Sequence, residues 1–157
     1  MSATHSAGVA ELVASTPNAI GYVEFSFAAE LRTLRFGSVR NLKDQPGLAG
    51  IESVNKALPK VLPPNPAEIA RAIFETNVED AYPIVSLTWL LAPVHPGARS
   101  GELIKDFLTW VVGQDGRDRA KLLDYVPLND ALTDLGLSEI QRIQPYATTG
   151  TNASHTL

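Results

Sequence analysis

The chain of 157 residues contains no cysteine, which excludes disulfides, thiolate nucleophiles and zinc–thiolate centres and leaves the redox compartment unread. It also lacks an excess of positive charge. Thirteen Lys and Arg stand against seventeen Asp and Glu, a net charge of −4, whereas a nucleic-acid-binding domain normally presents a basic face. A small anion stays open as a ligand, because backbone N–H groups and hydroxyls hold anions without net positive charge. No apolar run reaches the roughly 18 residues of a membrane span. The longest, Pro83–Val94 and Leu103–Val112, are interrupted by Ser86, Thr88, Lys105 and Asp106. The opening MSATHSAGVAEL has no basic region followed by an apolar stretch, so an export signal is not expected in it. The expectation is either a cytoplasmic protein or a processed or truncated product.

What is present fits a globular domain. Hydrophobic residues make up 45% and charged residues 19%, and the length allows one core with little room for two. Ser6–Ala14 reads as a short helix with Val9, Leu12 and Val13 on one face. After the Pro17-Asn18 turn, Ala19–Phe25 reads as a strand, Phe27–Thr33 as a short helical return and Leu34–Val39 as a second strand. Asn41–Gly50 is loop-like and Ile51–Leu58 a short helix. Prolines 59, 63, 64 and 66 force Pro59–Pro66 to run extended, and this is the one candidate boundary. Asn65 is placed to cap a helix that begins at Pro66 and runs to about Thr76, with Ile69, Ala70, Ile73 and Phe74 as its buried stripe.

Tyr82–Pro93 (YPIVSLTWLLAP) is the strongest strand signal, apolar on both faces as in a central position. Glu102–Val112 reads as an amphipathic helix burying Leu103, Ile104, Phe107, Leu108, Val111 and Val112. Gly113–Gly116 ends it, and Arg117–Leu123, Pro127–Leu135 and Ser138–Tyr146 read as three further helices. Ala147–Leu157 is small and polar and reads as a mobile tail. No internal repeat is visible.

Catalytic signatures are missing. His5, His95 and His155 have no histidine or carboxylate at metal-ligand spacing on a helix, and His95 reads as a solvated turn residue. There is no nucleophile elbow, Walker loop or dinucleotide fingerprint. Glu79 and Asp80 beside Tyr82 read as a polar strand entry. Arg32, Arg35 and Arg40 form a loose basic cluster that reads as a solvated surface. Trp89 and Trp110 read as core residues. Asn152-Ala153-Ser154 matches a glycosylation acceptor, a short pattern that often arises by chance. No enzyme activity, catalytic residue, metal or cofactor is expected.

Three ordered segments carry a resemblance. Val13-Ala14-Ser15-Thr16-Pro17-Asn18-Ala19-Ile20-Gly21-Tyr22-Val23-Glu24 resembles the V-x-x-T-P-G-A-I-G-Y-V-E stretch of the phosphate-binding proteins of ABC transporters. Tyr82-Pro83-Ile84-Val85 leading to Thr88-Trp89-Leu90-Leu91 resembles their Y-P-I…T-Y/W-I-L strand. Phe107-Leu108-Thr109-Trp110, Gly113-Gln114 and Tyr125-Val126-Pro127-Leu128 resemble their F-L-x-W…G-Q…Y-V-P-L-P ending. The likeness covers about Gly8 to Leu132. Asn18 stands where the family has glycine, and Asn129 where it has the second proline of the ending.

The resemblance implies a type 2 periplasmic binding protein, two lobes closing on an oxyanion. The fold class it implies here is α/β: a partial periplasmic-binding-protein-like fold, a few-stranded mixed sheet covered by helices, with one domain over residues 1–146 and a flexible tail over 147–157. The family's anion loops, a Thr-Gly-Ala/Ser type and an Arg-x-x-Gly-Ser-Gly-Thr type, precede the first of these segments and have no counterpart here. Thr148-Thr149-Gly150-Thr151 is similar to the hydroxyl loop but sits in the tail. No substrate-binding residue therefore carries over. The implied ligand is phosphate or another small oxyanion, and the implied partner is an N-terminal-half chain or a second copy, because central strands without neighbours leave unpaired edges. The family points to an extracytoplasmic location that the opening residues do not signal. The competing expectation is an interaction or scaffold module that has lost ligand binding.

Overall fold

The computed structural model describes residues 3–146. The readings made for the tail, for His155, for Asn152-Ala153-Ser154 and for Thr148–Thr151 lie outside them. The described residues are helix-rich with one small sheet. Helix α1 (His5–Ser15) buries Ala10 and packs on α2 (Phe25–Ala29), which buries Ala28. Strands β1 (Val39–Arg40) and β2 (Pro46–Gly47) pair antiparallel, Val39 opposite Gly47 and Arg40 opposite Pro46. Helices α3 (Ile51–Ala57), α4 (Pro66–Phe74), α5 (Ala98–Val112), α6 (Gln114–Leu122) and α7 (Asp130–Gln141) follow.

Local signals set several of these boundaries. The Asn65 side chain accepts a hydrogen bond from the Glu68 N–H at 2.9 Å, and Pro66 occupies the first turn of α4, where no amide is needed. Asn18 adopts φ 60° just past α1. This is the left-handed conformation for which glycine is the usual residue and asparagine a tolerated one. Asn129 caps α7, accepting from Leu132 N–H at 3.0 Å, while its amide donates to Pro59 O at 2.9 Å. The asparagine thus ties the extended proline segment to α7, which a proline there would leave untied.

The core is a cluster of Ala57, Leu58, Ile69, Ile73, Ala81 and Leu132, against which Leu62, Val85, Leu87, Leu128 and Leu135 pack. α5 packs on both α6 and α7. The helices expected at Pro127–Leu135 and Ser138–Tyr146 are one helix, α7, running through Gly136. A Cβ at Gly136 would lie 3.2 Å from Val112 Cγ1, so glycine serves helix contact here instead of ending the helix.

The expected strands differ. Ala19–Glu24 forms no ladder, Ile20 and Tyr22 stand in solvent, and Phe25 opens a helix. Only Val39 of Leu34–Val39 enters a strand. Tyr82–Pro93 runs without turns or bends yet pairs with no strand among the described residues. A β-rich sequence specifies an extended chain, but a ladder also needs a neighbour, and β1 and β2, two residues each, are occupied with one another. Trp89, Trp110, Phe107 and Phe74, read as buried, are each about half or more exposed, as is Leu103.

Candidate functional site

The residues singled out for chemistry are not gathered at one place. Arg35 spends its Nη1 on the carbonyls of Arg32 and Leu34, both at 3.0 Å. Arg40 pairs with Asp44, 2.7 Å to its carbonyl and 3.0 Å to its carboxylate, closing the β1–β2 turn. α2 ends at Ala29, so Arg32 and Arg35 share no helical face. The basic cluster is therefore dispersed on exposed loop backbone. His95 lies beside Tyr146, ring centroids 5.5 Å apart, with Nδ1 3.4 Å from Gln144 O, in the turn before α5. Glu79 is exposed, and Asp80 meets Lys56 at 3.6 Å.

Two open depressions are present. The first, about 360 Å³, lies where α5 meets α6 and is lined by Asp106, Thr109, Trp110, Gly113, Gln114 and Asp115. Gly113 belongs to both helix ends, and Gly116 brings α6 onto the Val111 and Trp110 carbonyls so closely that any Cβ would collide with backbone. Gln114 donates to Asp118 at 2.8 Å, and that bond, then the one from Lys121, lowers the Asp118 pKa below the usual carboxylate value. The second depression, about 390 Å³, is lined by residues of the β2–α3 loop and α3, among them Glu52, Ser53 and Lys56, and by Asp80. Its one cation, Lys56, already faces Asp80 at 3.6 Å and Glu52 at 4.0 Å.

Both linings carry net negative charge, so neither attracts a dianion on its own side chains. The resemblance segments fall on structural positions: Thr16–Glu24 on the exit from α1, Tyr125–Leu128 on the entry to α7. Among the described residues no group of three or more His, Asp or Glu is placed to hold a metal ion, and no helix is long and apolar enough to cross a membrane.

Sequence similarity points further than the depressions do. No protein-family model matches the chain, but it is similar to a phosphate-binding protein. That relative is the phosphate-binding protein PstS of Methanocaldococcus jannaschii, 29% identical over 148 residues, with 87% of this chain and 38% of the relative covered. The chain thus spans well under half of the relative's length.

Proposed function

We propose that this chain is a phosphate-type, oxyanion-binding module of an ABC transport system, acting with further polypeptide: an N-terminal half that carries anion loops, or a second copy of itself. The reading rests on one observation, similarity to a phosphate-binding protein across 87% of the chain. The left-handed Asn18 supports it, since the position where the resemblance has glycine carries a backbone conformation that glycine adopts most readily. The need for further polypeptide is supported by the acid-lined depressions, which do not suit an anion, and by exposed apolar residues on the extended segments. The resemblance implies phosphate-holding loops that have no counterpart in this sequence, which supports anion amides and hydroxyls supplied from elsewhere in the assembly.

The acidic linings favour one alternative, an interaction module that keeps scaffold pieces without a ligand site. Calorimetric titration of the purified chain with phosphate, with the solution mass determined on the same sample, separates the two. Saturable heat from a sample of oligomeric mass is expected for a transport-type module whose anion site forms between copies. A sample of defined oligomeric mass that takes up no phosphate transfers the chain to the interaction module.

A further inference from the structure

The extended segment after Ala81 is half of a sheet. From Ala81 to Pro93 the chain has no turn or bend, and its odd-numbered side chains point to the core: Ala81 and Pro83 are buried, while Val85 and Leu87 pack against the core cluster. The even-numbered Ile84, Ser86 and Thr88 are exposed. This is the two-residue alternation of a strand lying on a core. The odd face then outruns its cover. Trp89 is 50% and Leu91 99% exposed.

The backbone is open over the same stretch. Among the described residues, no main-chain group of Ser86–Ala92 takes part in a backbone–backbone hydrogen bond. The next residues are committed, because Gln144 N–H donates to Val94 O at 2.7 Å and Tyr146 N–H to Pro96 O at 3.0 Å. Seven consecutive residues therefore present an unpaired ladder and an uncovered apolar row, a pairing template.

We propose that Ser86–Ala92 is a self-association strand, to which a second copy of this chain adds its own Ser86–Ala92 antiparallel about a two-fold axis at Trp89. The segment is self-complementary in that register. Leu87 of one copy lies opposite Leu91 of the other, and the two Trp89 side chains meet at the axis, so the odd face of each covers what the other leaves exposed. No Lys, Arg, Asp or Glu occurs between Asp80 and Arg99, so no like charges oppose each other across the pair. With the two Trp89 residues as a non-hydrogen-bonded pair, the contact also satisfies the partner-facing main-chain groups of Ser86, Thr88, Leu90 and Ala92 in both copies at once, which an apolar contact with a helix would not do.

The contact does not depend on phosphate. A monomer that takes up phosphate once an N-terminal-half chain is supplied would remove it and leave the proposed function standing, and a dimer that binds none would do the reverse. Sedimentation equilibrium of the full chain over a concentration series tests it, alongside Leu91→Lys and Leu90→Pro. Leu91 is in solvent within one copy, and the Leu90 amide has no backbone acceptor there, so far-UV circular dichroism should remain that of the parent. The parent is expected to dimerise. Each variant is expected to weaken dimerisation by about tenfold or more, through a charge set against leucine or a lost ladder bond. A parent that stays monomeric at every concentration, or a dimer of equal strength in both variants, overturns the proposal.

Discussion

Ile73→Ala will lower the unfolding free energy by about 3 kcal/mol, within the ~2–5 kcal/mol seen when a fully buried isoleucine is truncated. Ile73 is 1% exposed and sits on α4 in the small cluster with Ile69, Leu58, Ala81 and Leu132. A core this narrow has few side chains able to move into the space, so the loss should reflect a cavity and not only transferred methylene groups. For a domain of total stability near 5–15 kcal/mol, that is a large share. The control is Phe74→Ala on the same helix. Phe74 is 63% exposed, and its removal should change stability by about 1 kcal/mol or less. Urea denaturation of both variants checks the pair. Equal losses would mean that α4 presents a different face to the core.

Asn41→Ala will cost about 2–4 kcal/mol although it removes a polar side chain, because two backbone amides and one carbonyl lose their partner together. Asn41 is 7% exposed. Its Oδ1 accepts from Lys43 N–H at 2.9 Å and from Gln45 N–H at 3.2 Å, and its Nδ2 donates to Val78 O at 2.8 Å. The first two bonds shape the turn between β1 and β2, in which Asp44 is left-handed at φ 59°. The third fastens that turn to the chain just before Ala81 and the extended segment. Asn41→Asp keeps the oxygen that accepts both turn amides and loses the donor, setting a carboxylate against the Val78 carbonyl. Its thermal unfolding should therefore also fall well below the parent. An unchanged melting temperature in both variants would show that the turn is held without Asn41.

These residues mark what the sequence made legible. The Asn65-Pro66 start of α4 was readable because capping is a local contest among neighbouring backbone groups. The amphipathic period located α5 for a similar reason, although Leu103 and Phe107 belong to its open side. Asn41 carried no signal, since its third bond spans 37 residues, and a loop asparagine ordinarily suits a turn alone. The break expected between Leu135 and Ser138 did not form, because a glycine that stops a helix and one that lets two helices approach, as Gly136 does, are the same letter. Tyr82–Pro93 read as a central strand from composition, and its extended form and inward odd face agree with that composition. Pairing was the part the sequence could not specify, because it depends on a neighbour elsewhere.

The candidate site was the least legible feature. The family likeness was readable from segments that shape turns and helix entries, while the groups that would hold an anion were assigned by that likeness to loops outside the matched portion. No ligand residue was assigned from the sequence, and of the three clustered arginines Arg40 pairs with Asp44 while Arg35 bonds to loop carbonyls.

An extended segment completed by a second copy of the chain is the claim on which the account turns. Amide hydrogen exchange over residues 86–92, measured across a dilution series of the purified chain, tests it most directly. The account predicts protection at high concentration that is lost on dilution, while the α7 amides from Leu132 to Ile140 stay protected throughout. Protection of 86–92 that does not change with dilution would contradict it, because the ladder would then lie within a single chain.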